Sequence, residues 1–267
     1  MIILIFFIAG LIVGSFINVV VYRLNLAESM FVGRSMCPHC RAKIRWYDNI
    51  PLLSFVLLRA ECRDCKGKIS WEYPMVEFLT GVAFAGIGVW FFSLANYQTW
   101  IESGFLLVLF FLLLVIFAYD LKFMEIPMIF LWAGVGAAVL WLIFSDISNF
   151  SASNSIFSLR IVSGAIGAFV AWAFFFSMAF FSKEKWMGMG DAYLAILGGL
   201  TAGWPKIFFA FVLSFSLGAI FSIFLVIFKK KSMKSQVPFA PFLVAGTIAT
   251  LFLYQAFPEY LGYLFYF

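Results

Sequence analysis

The sequence predicts an all-α polytopic membrane protein of about eight transmembrane helices, with a small cytoplasmic zinc-ribbon insertion between helices one and two. Three observations predict it. The 267 residues are 64% hydrophobic and 12% charged, with a mean hydropathy of +1.04, more apolar side chain than a soluble core could hide. Eight apolar runs approach the twenty or so residues that cross about 30 Å of hydrocarbon as helix. All four cysteines and half of the Lys and Arg residues fall in one polar segment, 23–73.

The runs span 2–22, 74–95, 104–120, 128–145, 160–181, 186–204, 207–228 and 239–258. Continuous apolar runs of this length point to helices, because strands of a closed barrel alternate instead. The first run has no basic leader and no small-residue cleavage site, and its first charge, Arg23, follows it. It is expected to stay as an anchor and not to be cleaved as a signal peptide.

Charge sets the orientation. If 23–73 is cytoplasmic, alternation puts the loops around 121–127, 182–190 and 229–238 on the same side, and together the four segments hold 16 of the 18 basic residues. Only Arg160 and Lys206 lie opposite. The positive-inside rule then places both termini outside the cytoplasm. The net charge of +5 reads as a topology signal with anionic membrane lipids as neighbours, in preference to a nucleic-acid surface.

Within 23–73, Cys37, Cys40, Cys62 and Cys65 form two C-x-x-C pairs separated by 21 residues. "CPHCRAKIRW" (37–46) and "CRDCKGKISW" (62–71) are an internal repeat offset by 25 residues. Each copy is expected to be a metal knuckle and a short strand, with Trp46 or Trp71 closing its base. Four thiolates in a reducing compartment suit a closed tetrahedral site for structural Zn2+. Free dithiols or a redox pair would leave the duplicated flanks unexplained. His39, the only histidine, is read as an exposed tip residue outside the metal shell.

Two of the thirteen acids stand apart. Asp120 closes the run "FLLLVIFAYD", and Asp191 follows Gly188 and Gly190 near the start of the run 186–204. Both fall at the cytoplasmic ends of their helices, where they can meet at one depth. Paired carboxylates bordering hydrocarbon can share a proton and activate a water toward a peptide carbonyl, as aspartic proteases do. The glycines leave room for a substrate strand. Read alone, Asp191 equally fits a helix cap and Asp120 a headgroup anchor beside Lys122. A proton-coupled transporter using both acids as a relay, or a noncatalytic zinc-ribbon scaffold, are the rival classes.

Six segments in order bear a resemblance that covers nearly the whole chain: "GSFINVVVYRL" (14–24), "RWYDNIPLLSF" (45–55), "ISWEYPMVEFLTG" (69–81), "DLKFMEIP" (120–127), "GMGD" (188–191) and "PFAPF" (238–242). The sequence resembles the bacterial type 4 prepilin leader peptidase/N-methyltransferases. That resemblance implies a membrane aspartic endopeptidase that removes the basic leader of pilin-like precursors after a glycine. It also implies methylation of the new amino terminus by S-adenosylmethionine. It assigns catalysis to Asp120 and Asp191 and draws attention to Asn18, Arg23, Glu77 and Gly81 for the cofactor. Interhelical packing explains Asn18, and the helix dipole explains Glu77, equally well. The domain organisation follows as a first transmembrane helix (1–22), a zinc-ribbon module (23–73) and a peptidase core of about seven helices (74–267). Met128 and Tyr193 stand where the family often has an acid and a lysine, and Ala240 stands where glycine is common.

Overall fold

The computed structural model describes residues 2–26, 29, 33–93, 97–148, 159–228 and 237–257. Among these the protein is all-α, with nine helices: α1 (Ile2–Asn25), α2 (Leu53–Leu57), α3 (Glu72–Ser93), α4 (Tyr97–Phe123), α5 (Met128–Ser148), α6 (Arg160–Ser182), α7 (Met189–Ala202), α8 (Ile207–Ile227) and α9 (Ala240–Ala256). The chain folds as two compact units, Met1–Ser103 and Gly104–Phe267, and the division falls inside α4.

The expectation of eight membrane-spanning helices is corrected. Five helices among the described residues are long and apolar enough to cross a membrane: α1, α4 from Trp100, α5, α6 and α8. They make the chain a polytopic membrane protein. Helix α7 has 14 residues, nine of them buried, and at helical rise it extends only about 21 Å. Helix α9 has 17 residues, and α3 opens on Glu72, Pro74 and Glu77. The run-counting rule treats a helix buried among other helices as one facing lipid, because both are apolar on all sides.

The zinc-ribbon expectation is corrected too. Among the described residues no strand forms in 23–73; each cysteine copy is a turn closed by one isolated bridge, Met36 with Lys43 and Glu61 with Lys68. The 25-residue offset is kept in detail. Cys37 N–H donates to Ala42 O (3.0 Å) and Cys62 N–H to Gly67 O (2.8 Å), with Arg41 and Lys66 both at φ 57°. Trp46 then begins a short 3-10 turn and Trp71 leads into α3, so neither copy has backbone left for a ladder. The two tryptophans expected to close the bases are instead 77% and 75% exposed.

In the first unit α1 and α3 run antiparallel in close contact. A Cβ on Gly10 would stand 2.7 Å from Thr80 O, and one on Gly14 2.7 Å from Glu77 Cα. Small residues at these crossings let the backbones approach.

In the second unit α7 is central, packed against α5, α6, α8 and α9. Gly199 of α7 lies against the backbone of Gly167 and Ala168 in α6, where no side chain fits. Helix α6 starts on a borrowed cap: Asp146, near the end of α5, accepts hydrogen bonds from the N–H groups of Arg160 (2.8 Å) and Ile161 (2.9 Å). Phe110 of α4 meets Phe252 of α9 edge to face at 5.5 Å. The run Lys229-Lys230-Lys231 lies outside the described residues.

Candidate active site and metal centre

Both singled-out acids belong to the second unit, and the fold brings them together. Asp120 sits in the last turns of α4, 5% exposed. The helix ends just beyond it, where Met124 takes a left-handed conformation (φ 56°) and donates its N–H to Asp120 O at 2.9 Å. Ile126 and Pro127 then lead into α5.

Asp191 is the third residue of α7, with Gly188 at the N-cap. The Gly188 N–H faces the Asp191 carboxylate, in the first turn of α7 where a negative charge is favoured. The two motifs touch: a Cβ on Gly190 would stand 3.1 Å from Ile126 Cδ1. A side chain at position 190 would require the tip of Ile126 in the "EIP" turn to give by a few tenths of an ångström.

The carboxylates of Asp120 and Asp191 lie within electrostatic reach of each other. The N–H of Ala240, the first residue of α9, is also directed at Asp120, so the positive end of a helix faces this acid. Asp120 Oδ2 is buried without a hydrogen-bond partner. A buried acceptor of this kind calls for a proton or a bound water. Two carboxylates within electrostatic reach and one helix N-terminus suit proton transfer to and from a water.

Met128 opens α5, and Tyr193 packs its ring 6.3 Å from that of Trp132, one turn along the same helix. The roles of Ala240 and Ile126 were not legible as single residues. Their only sequence signal was membership of "PFAPF" and "DLKFMEIP".

The four cysteines lie in the first unit, with their sulfurs all within 4.8 Å of one another and Cys37 Sγ 3.9 Å from Cys65 Sγ. Tetrahedral zinc with Zn–S bonds of about 2.3 Å needs sulfurs about 3.8 Å apart, so this cluster fits a metal ion. The backbone N–H groups of Cys65 and Asp64 face the Cys62 sulfur and lower its pKa to about 7. His39 stays outside the cluster, exposed and against Gly67.

The four positions singled out for the cofactor are each engaged internally. Asn18 Nδ2 donates to Tyr73 O at 3.1 Å. The buried Arg23 guanidinium donates to the carbonyls of Ser29 (3.4 Å) and Arg34 (3.3 Å). Glu77 Oε2 accepts from Leu52 N–H at 2.8 Å. A Cβ on Gly81 would stand 2.9 Å from the Phe7 ring.

Residues 8–91 match the family model of the bacterial peptidase A24 N-terminal domain, and residues 107–223 match that of the type IV leader peptidase family. An Escherichia coli O78:H11 protein, named type 4 prepilin-like proteins leader peptide-processing enzyme, is 32% identical over 94% of this chain and 93% of its own. The prepilin leader peptidase/N-methyltransferase of Aeromonas hydrophila is 30% identical over 92% and 89%. That of Stutzerimonas stutzeri is 28% identical over 95% and 92%. No solved structure matches significantly. Similarity of this extent, end to end and across both units, establishes an enzyme that belongs to the type IV prepilin leader peptidase/N-methyltransferase family.

Proposed function

We propose that this chain is an aspartic endopeptidase of the bacterial inner membrane, which removes the leader of type IV prepilin-like precursors at the cytoplasmic face after a glycine. In this reading Asp120 and Asp191 are the catalytic pair, and Gly188 and Gly190 leave room for the substrate strand. The observation that carries it is the convergence of the two carboxylates from helices distant in sequence, one with a buried oxygen lacking a partner.

The chemistry uses one proton shared by the pair. The ionised carboxylate takes a proton from a water as its oxygen attacks the scissile carbonyl carbon, and the protonated carboxyl gives its proton to the carbonyl oxygen. Collapse of the tetrahedral intermediate breaks the C–N bond, with a proton passing to the leaving nitrogen. Acid and base roles belong to the pair as a unit.

The distribution of basic residues supports placing residues 23–73 in the cytoplasm and both termini outside it. Cys37, Cys40, Cys62 and Cys65 would hold a structural Zn2+, and because sulfur fills all four positions the ion has none open for chemistry. Methylation of the new amino terminus is the second proposed activity. To bind S-adenosylmethionine there, Asn18, Arg23 and Glu77 would exchange or share their internal partners, and Gly81 would need the Phe7 ring to move.

The test is to incubate the purified protein with a pilin-type precursor and S-adenosylmethionine and follow the precursor by mass spectrometry. Loss of the leader with a methyl group added is expected. An uncut precursor would refute the peptidase assignment, and a cut, unmethylated product would refute the second activity.

A further inference from the structure

The connection between the two cysteine copies carries ten consecutive uncharged residues, "NIPLLSFVLL" (49–58), in which Phe55 is buried and several other apolar side chains point outward. Val56 and Leu57 are 70% and 71% exposed, and Leu53 on the same face of α2 is exposed as well. In a loop surrounded by water this would be an unusual use of apolar surface.

The depth of this segment can be read from α1. The α1–α3 contacts set a register in which Gly10 meets Thr80, Gly14 meets Glu77, and Asn18 meets Tyr73. Glu77 reaches Ser15 of α1 as well as the N–H of Leu52. Leu52 is therefore held level with Ser15, eight residues before Arg23, the first charge of α1. At helical rise that is about 12 Å inside the apolar run.

We infer that residues 50–58 form a re-entrant element lying within the leaflet beside the α1–α3 pair, with Leu53, Val56 and Leu57 against lipid acyl chains. Backbone at that depth must satisfy its donors within the protein, and five N–H groups of this segment do so. Leu53 N–H donates to Pro51 O (2.6 Å), Ser54 N–H to Ile50 O (3.0 Å), Val56 N–H to Leu52 O (3.2 Å) and Leu58 N–H to Ser54 O (2.8 Å). Leu52 N–H, which has no backbone acceptor in the turn, is accepted by Glu77 Oε2 at 2.8 Å. A carboxylate buried in the apolar part of α3 thus has a reason: it fixes the tight turn at Leu52, whose φ of 58° a branched residue rarely adopts.

Lipid is the occupant because the patch continues an exposed apolar stripe on α3, the helix packed against the membrane-spanning α1. Trp71 stacks edge to face on Phe55 at 4.8 Å and accepts the N–H of Met75 at 3.2 Å, in helical register with α3. From there Met75, Phe78 and Val82 carry an exposed apolar stripe along the helix that packs on the membrane-spanning α1. Trp71 falls level with about residue 20 of α1, one turn short of Arg23, the depth at which tryptophan anchors helices at the interface. Beyond the segment Arg59 returns the chain to charge, suiting anionic headgroups.

The test places an environment-sensitive fluorescent amino acid at Leu57 in the full-length protein in nanodiscs, with the same label at Lys43 as the aqueous control. Lipids brominated on their acyl chains are expected to quench position 57 while aqueous iodide leaves it unchanged, and the reverse is expected at position 43. The label at Val56 repeats the measurement if position 57 disturbs folding. Glu77→Ala is expected to raise iodide quenching at position 57, and Glu77→Gln, which keeps an acceptor, to leave it low. Iodide quenching at positions 56 and 57 of the unaltered fold would overturn the inference. So would protection that arises only on adding a pilin-type precursor, which would make the patch a substrate surface.

Discussion

Replacing Gly199 with alanine tests whether the α6–α7 contact sets the position of Asp191. An added Cβ would stand 2.5 Å from the carbonyl carbon of Gly167, and ordinary contact begins at 3.4 Å. That contact falls 0.9 Å short, the backbone N and Cα of Ala168 are nearer still, and backbone cannot rotate aside, so the two helices must part. Overpacking of this kind costs about 1–3 kcal/mol. Because α7 also carries Asp191 two turns away, a displacement near 1 Å at the carboxylate pair should lower kcat by about 10²-fold. Gly136→Ala is the control, since a Cβ there meets nothing within 4 Å. Thermal unfolding in detergent and precursor cleavage rates, measured together, decide the matter. A Gly199→Ala protein that melts and cleaves like the Gly136→Ala control would refute the reasoning.

Three further outcomes are expected. Asp146→Ala removes the cap that α5 lends to α6 and should lower stability by about 0.5–2 kcal/mol, read as a lower Tm with cleavage at permissive temperature retained. Cys37→Ser should reduce bound zinc, measured by elemental analysis of the purified protein, while Cys-free positions such as His39→Ala leave it unchanged; equal metal content in the two would contradict the four-sulfur site. The Arg63 guanidinium, 2.6 Å from Asp48, holds that carboxyl below the ordinary carboxylate range. Its contribution is then fully present above that range and lost only as pH falls below it. Tm should therefore not change on account of this pair between pH 7 and 5, and Asp48→Asn should abolish its share of any loss at lower pH.

Much of this organisation was legible because it is periodic or locally encoded. The 25-residue repeat reappears as matching turns at Cys37 and Cys62, and the glycines of "GMGD" reappear where Ile126 closes on Gly190. What stayed hidden depends on partners distant in sequence. The apolar run that becomes α7 gave no sign that it is a 14-residue helix enclosed by four others, because burial in protein and burial in lipid select the same side chains. The tryptophans of the repeat were expected inward, yet only the register of α3 on α1 reveals where they point. Asp146 gave no signal in the sequence, and Glu77 stood out only as a cofactor candidate or a helix-dipole partner, although one caps a neighbouring helix and the other holds a turn 25 residues away.

The central claim is that one water is activated between Asp120 and Asp191. Its most direct measurement compares Asp120→Asn and Asp191→Asn with the unaltered enzyme in the precursor cleavage assay, after matching the three for membrane insertion and bound zinc. The account predicts that each substitution alone abolishes leader removal with insertion and metal content preserved. Cleavage at the unaltered rate by either variant would contradict it.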